Sequence, residues 1–600
     1  MKRTLAWLTL LIMLFALPVN QAGAAGNTLH IGHLTRVSGE FFTEMWGNNT
    51  SDIDVRMLIH GYDIVMWMED ESIQPDNTVV KSLVWSRDPG GDPVATIEIY
   101  PNLKFSDGDA ITARDYVFSL LIQASPLIAE LGGRVAYKDQ IRGITEYAKG
   151  EAAELAGVRL LSKYRYSVRF SAESLPYFYQ NALLEALPYP THVIAPGCKI
   201  KDDGAGAYIT GMTAELLQRT LNDPETGYRS HPTVSSGPYK LVSYDHKTGV
   251  VEFQRNRYYK GNCEGQKPSI PRIVLKETRN QTLLNELQDG TLDLVNKISS
   301  AEVIKAVTAA GMSGKIASAS YPRRGMGLLA FAVEQPLTSS LLLRQAVAHM
   351  VDRQGLVDTF LEGYGEPVYG FYGAAQWMAK HQKETLKGLN LYAYDQNLAL
   401  NLLVQDGWTL EATGAGYDAA AGGLRHKMLD GQLVPLQLRA AITPLNKAAD
   451  HVIQTLQKNL QALGGELIVS TVEMDELLLN YYRHKERAYD LLFLGTNFPL
   501  VFDPFYNFHT DDMYQTVYNT TGIRDDRLMA LADQLRRTEP ENRAVYLERW
   551  FALQQRFMEV LPMIPLYSNT YYDAFGTQLE NYHPDQYESW AVAVLYATLK

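Results

Sequence analysis

The chain has 600 residues, 46% hydrophobic and 20% charged, enough apolar material for a large packed core and too much for a disordered chain. Its 55 Lys and Arg against 67 Asp and Glu give a formal net charge of −12, and no basic run occurs, which argues against nucleic-acid binding because phosphate neutralisation needs a basic surface. Two cysteines, Cys198 and Cys263, exclude a four-cysteine zinc site or an iron–sulfur cluster within the chain and allow one intrachain disulfide.

At the N-terminus, Lys2 and Arg3 precede an apolar run from Leu5 to Leu17, a Pro18 break and the small residues Ala22-Gly23-Ala24-Ala25. These are the three parts of a secretory signal, so residues 1–25 are expected to be removed on export; the run falls short of the roughly 20 apolar residues that span a membrane. Export to a periplasm or beyond places the chain in an oxidising compartment, where a bridge between Cys198 and Cys263 is an expectation.

Further along, Ala95 to Tyr100 alternates apolar and polar side chains as a half-buried strand does, and Lys104-Phe105-Ser106-Asp107-Gly108 turns out of it. Thr112 with Asp115 three residues on forms a capping box, and Val117, Phe118, Leu120 and Leu121 supply the buried stripe of the helix that follows. Ser236-Gly237-Pro238-Tyr239 opens a strand to Ser243; the turn Asp245-His246-Lys247-Thr248-Gly249 and a return over Val250 to Arg255 make it a hairpin. From Leu341 to Phe360, Leu343, Val347, Met350, Val351 and Leu356 fall at helical spacing until Gly363 and Gly365 stop the pattern. Strands and helices alternate through the whole length, which predicts a mixed α/β fold.

The chain lacks a Gly-rich phosphate loop, a dinucleotide fingerprint, a nucleophile elbow and a His-Glu-x-x-His pair. His30 and His33 sit on a strand at a spacing that sends their rings to opposite faces, and acidic neighbours such as Asp52 and Asp54 or Asp511 and Asp512 read as solvated faces. No catalytic set, metal or cofactor is expected.

Six segments in order, from about residue 80 to 567, carry a resemblance. They are Ser82-Leu83-Val84-Trp85 with the stretch Leu103 to Ser119; Ser236-Gly237-Pro238-Tyr239 with Arg255-Asn256-Arg257-Tyr258-Tyr259-Lys260-Gly261; Leu287 to Leu294; Arg344 to Arg353; Tyr489 to Gly495 with Asp503-Pro504; and Pro562-Met563-Ile564-Pro565-Leu566-Tyr567. Together they resemble the extracellular solute-binding proteins of peptide and nickel ABC importers (family 5), most of all the larger oligopeptide-binding members. The resemblance implies a bilobal α/β periplasmic-binding-protein-like fold of the large, type II class with an inserted extra domain. Residues 27–70, 191–320 and 567–600 would form the first lobe, 71–190 the insertion and 321–566 the second lobe, with hinge crossings near Ser320 and Leu566. It also implies a monomer without enzymatic activity that captures an oligopeptide-type solute and delivers it to a membrane permease. Three rivals stand beside it: the same scaffold binding an oligosaccharide or other non-peptide solute, a secreted hydrolase, and a sensor or peptide-scavenging chaperone that uses the same cleft without a permease.

Carried onto this sequence, the ligand-binding candidates are Trp46, Asn48, Asn49 and Thr50 in the first lobe, and Gly495, Thr496 and Asn497 in the second. The paired asparagines read equally as a turn and helix cap. Peptide binders keep an Asp for the ligand's α-ammonium where this chain has Pro499 or Leu500. Either another carboxylate, such as Glu40, Glu44 or Asp52, takes that role, or the ligand has no free amine there.

Overall fold

The computed structural model describes residues 28–600 apart from 48, 69, 70, 135–139, 445, 517, 586 and 588. The expected signal segment and Asn48 lie outside the described residues. Among the described residues, no helix is long and apolar enough to cross a membrane.

A sheet of 12 strands runs through the molecule and is organised by one long strand, Met563–Gly576. Its C-terminal half pairs antiparallel with Ile316–Pro322, Tyr572 facing Ser320, and with Leu294–Ile298. Its N-terminal half pairs with Gly325–Phe331, Pro565 facing Leu328, and with Gly365–Pro367. On one side lie Thr28–His33, Arg272–Glu277 and the hairpin Tyr239–Tyr244/Val251–Arg255; on the other lie Leu491–Asn497, Gln437–Ile442 and Glu466–Thr471. The chain thus passes twice between two α/β halves, at 322–325 and at 567–570, and the fold is bilobal. A separate four-stranded sheet, Val80–Arg87, Pro93–Ile99, Arg165–Arg169 and Val158–Ser162, packs against the helix Ala113–Gln123.

The sequence signals have local physical causes. The capping box forms: the Asp115 carboxylate accepts from the Thr112 backbone N–H at 2.9 Å and also from Thr191 Oγ1 at 3.0 Å, tying the helix start to the next segment. Gly237 is required by close approach, since a Cβ there would lie 2.5 Å from the Ile59 carbonyl carbon, and its own N–H donates to the Ile59 oxygen at 2.7 Å. Arg344 is buried and donates to four carbonyls, those of Thr338 (2.7 Å), Ser339 (2.8 Å), Val560 (2.8 Å) and Leu561 (3.0 Å). Two of these oxygens end the long helix Arg543–Val560, whose last carbonyls have no helical partner.

The helix expected from Leu341 to Phe360 is broken. It runs over Leu341–His349, restarts at Arg353–Leu356 and widens into a π turn over Val357–Leu361. Asp352 causes the restart by accepting from the Gly355 N–H at 2.8 Å as an N-cap, so the apolar spacing bridges two short helices. The expected disulfide is also absent: Cys198 and Cys263 are both free thiols. Cys198 packs against the apolar core after the helix Thr191–Ile194, whereas Cys263 sits on a loop in the wall of the cleft described below. Burial pushes both thiols up.

Candidate ligand cleft

A cavity of about 1630 Å³ opens between the two halves. Pockets for drug-sized molecules run to about 1,000 Å³, so this one has room for a ligand several residues long. One wall is built from segments at 42–76, 120–149, 185–189, 259–264 and 585–596; the facing wall consists of Leu500, Tyr506, Met513, Tyr514 and Tyr518.

The helix Thr50–Ile59 presents Ile53, Arg56 and Met57 to the cavity while Val55, Leu58 and Ile59 are buried behind it. Spacings of three and four residues put the first set on one face. Arg56 is anchored by donating to the Glu40 carbonyl at 2.7 Å; burial draws its guanidinium down, against the upward pull of Asp52 and Glu44. Next to it His60 shares a hydrogen with the Phe41 carbonyl at 2.9 Å, and burial lowers it to about 4, so it is neutral at neutral pH. Tyr62 stacks on Tyr259 with ring centroids 5.3 Å apart, and its hydroxyl accepts from the Lys260 N–H at 2.6 Å; burial pushes it up to about 12. The facing wall holds no charged side chain among the described lining residues. It is an aromatic cluster in which the Tyr506 and Tyr514 rings lie 5.0 Å apart, backed by the Arg536 guanidinium 5.5 Å from the Tyr506 ring.

The sequence candidates lie beside this cavity rather than in its lining. Trp46 donates its indole N–H to the Leu131 carbonyl at 3.1 Å and carries the Arg229 guanidinium over its ring at 4.9 Å. Asn49 is the helix cap, its side-chain oxygen accepting from the Ser51 and Asp52 N–H groups at 2.9 Å each and its amide donating to the Arg36 carbonyl at 3.3 Å. Thr50 starts the helix, and its carbonyl accepts from Lys297 Nζ at 3.4 Å. Gly495, Thr496 and Asn497 end a strand paired to Gly325–Phe331; the Thr496 carbonyl (3.3 Å) and the Asn497 side-chain oxygen (2.6 Å) both accept from Arg323 at the hinge. Leu500 does line the cavity, so an apolar group stands at the position where an ammonium partner was sought.

Of the replacement carboxylates, Glu40 is tied to the Arg229 guanidinium through Nε at 2.7 Å and through Nη2, and Asp52 accepts from the Ser38 and Gly39 N–H groups at 2.9 and 3.3 Å. Glu44 faces the cavity, and with it Asp63, Asp76, Glu185, Glu264 and Asp585, none of which the sequence singled out. These six come from segments more than 500 residues apart and share no spacing, so only the folded chain assembles them. Outside the cleft, Asp107, Asp109 and His192 meet on the exposed surface within reach of a common metal ion, His192 Nε2 lying 2.7 Å from Asp107 Oδ2.

The comparisons agree with this geometry. The model of "Bacterial extracellular solute-binding proteins, family 5 Middle" matches residues 85–515. The oligopeptide-binding protein AppA of Bacillus subtilis is 21% identical over 92% of this chain and 89% of its own length, and its structure in complex with a nonapeptide superposes with a TM-score of 0.69 over 96% of this chain and 99% of that one, at 17% identity. Lactococcal OppA, complexed with an endogenous peptide in the closed conformation, gives a TM-score of 0.71 at 14% identity, covering 96% of this chain and 100% of that one. NikZ from Campylobacter jejuni in complex with Ni(L-His) gives 0.66 at 17% identity, covering 95% and 99%. The family model spans well over half of the chain on a bilobal α/β scaffold with a cleft between its halves, so this chain belongs to the bacterial extracellular solute-binding proteins of family 5.

Proposed function

We propose that the protein captures an oligopeptide in the cleft outside the cytoplasmic membrane and delivers it, chemically unchanged, to an ABC permease. The observation that carries this is the two-walled cavity of about 1630 Å³, large enough for several residues and lined by polar and aromatic groups. AppA and OppA, named for peptides, support the same choice of solute. Residues 1–25 act in this reading as the export signal, 27–70, 191–320 and 567–600 as the first lobe, 71–190 as an inserted domain and 321–566 as the second lobe. The protein works as a monomer, and it binds stoichiometrically rather than turning its ligand over.

The mechanism is a population shift. A ligand that touches both walls lowers the energy of the closed arrangement relative to the open one, and the passages at 322–325 and 567–570 absorb the change in backbone angles. Native mass spectrometry of the mature protein purified without denaturation tests the reading. Co-purified masses that fragment as a series of peptides are the expected result. A single non-peptide mass, or a cleft that stays empty against peptide mixtures, would remove the peptide assignment; the NikZ complex gives that second outcome a precedent on this scaffold.

A further inference from the structure

The wall that carries Leu500, Tyr506, Met513, Tyr514 and Tyr518 has little regular structure of its own. Among the described residues it contains two short 3₁₀ turns, Tyr506–Phe508 and Asp512–Tyr514, and no strand or α-helix. Its rings must therefore be fixed by side chains packed behind them. Behind Tyr506 stands Arg536, the last residue of the helix Asp526–Arg536, and it is buried. Its guanidinium lies 4.6 Å from the Phe505 ring, 5.5 Å from the Tyr506 ring and 5.8 Å from the Tyr177 ring, and its Nε is 3.7 Å from Asp503 Oδ2. A buried cation needs an anion and the negative faces of rings in place of its lost water. Arg536 has both, so it and the rings around it hold one another in place.

The main chain of the same residue reaches toward the opposite wall. Carbonyls in the last turn of a helix have no helical partner, which leaves the Arg536 oxygen open to a donor from elsewhere. It accepts from the Phe178 N–H at 2.8 Å, and the Phe178 ring is held by its stack on Tyr546, with centroids 3.8 Å apart. The next residue, Tyr179, packs with its ring centroid 5.9 Å from that of Trp67, and Trp67 lines the cleft on the wall facing Tyr506. Arg536 thus supports Tyr506 on one wall with its side chain and the segment behind Trp67 on the other with its backbone.

We infer, resting on the peptide reading above, that Arg536 is a positioning residue for ligand capture: it holds the Tyr506 ring at the spacing from Trp67 at which one peptide packs against both walls. It touches no ligand and acts on affinity through Tyr506. Lysine is a poor substitute, since its ammonium can still pair with Asp503 but offers no planar face to the Phe505 and Tyr506 rings.

The test is a double-mutant cycle between Arg536 and Tyr506, read as the concentration of a tryptic casein digest that half-saturates the mature protein in native mass spectrometry. Arg536→Met should raise that concentration about tenfold in the otherwise unchanged protein and less than about twofold in Tyr506→Leu, where the ring it positions is gone. Arg536→Lys should fall between wild type and Arg536→Met, and it carries the cycle if the thermal melt shows that Arg536→Met does not fold. No rise, or a rise by the same factor in both backgrounds, overturns the inference, because the residue would then act on the fold at large or not at all. A second measurement uses the unmodified protein: saturation with the digest should slow amide exchange at 177–180 together with 505–508. Binding of the digest without slowing at 177–180 also overturns the inference and leaves the peptide reading standing. Retention of no peptide by the wild-type protein overturns both.

Discussion

At the scale of single residues, two buried charges lend themselves to measurement. Asp573 on the long central strand is fully buried and accepts from the Lys297 N–H (2.8 Å), the Tyr321 hydroxyl (3.1 Å) and the Tyr582 hydroxyl (2.5 Å). Burial outweighs these bonds and raises the carboxyl to about 6. A folded-state value above the unfolded one means the folded protein holds its proton longer, so the associated stability is complete below about 4 and is lost as pH rises through 6. Urea unfolding of wild type and Asp573→Asn across pH 4 to 7 should therefore show the wild type's relative stability falling over that window and flat above it; a pH-independent difference would contradict the account. Arg344 is the second case. Arg344→Met leaves four carbonyl oxygens short of a donor and should cost about 3 kcal/mol or more, read as a lowered urea midpoint.

At the scale of elements, the segment around Phe178 is held by the helix Arg543–Val560 and its neighbours. Phe178 stacks on Tyr546 of the helix Arg543–Val560 with centroids 3.8 Å apart, its N–H donates to the Arg536 carbonyl at 2.8 Å, and the neighbouring Tyr179 hydroxyl lies 3.3 Å from the Trp377 indole nitrogen. Phe178→Ala should cost about 3 to 5 kcal/mol of stability. Because the ring belongs to a contact between segments more than 300 residues apart, amide exchange should quicken both at 177–180 and in the helix around Tyr546, while the sheet Val80–Arg87/Pro93–Ile99 stays protected. Quickening at 177–180 alone would mean that the aromatic contact carries little energy. The same element scale explains the helix expected over 341–360: its apolar periodicity is real, but the Asp352 cap overrides continuity, and a cap depends on a side-chain rotamer that hydrophobic spacing does not report.

At the scale of the whole molecule, the proposed function depends on two halves joined by two passages of chain. Addition of a peptide that the protein retains should reduce the radius of gyration in small-angle scattering. At a hundredfold excess over Kd it should also add about 2.7 kcal/mol of apparent stability. Binding with no change in scattering would show that the open and closed arrangements do not differ in solution, and the population-shift mechanism would fall.

The α/β character, the capped helix at Thr112, the hairpin at Tyr239–Arg255 and family membership were all legible in the sequence, because each rests on residues close together in the chain and on turn, cap and periodicity rules that act locally. The ligand wall was not. The motif at 46–50 marks the approach to the cleft, yet Asn49 spends its side chain on a helix cap, and the lining begins within a few residues on either side, at Met45 and Ile53. The state of Cys198 and Cys263, the ties on Glu40 and Asp52, and the gathering of carboxylates along the cleft depend on distances between remote segments. Those distances are set by sheet pairing and lobe packing, and no local rule encodes them. Sequence alone determined which elements form and which scaffold they build; tertiary structure decided which carboxylates line the cleft and that Glu40 and Asp52 are tied within the protein, because both depend on contacts between remote segments.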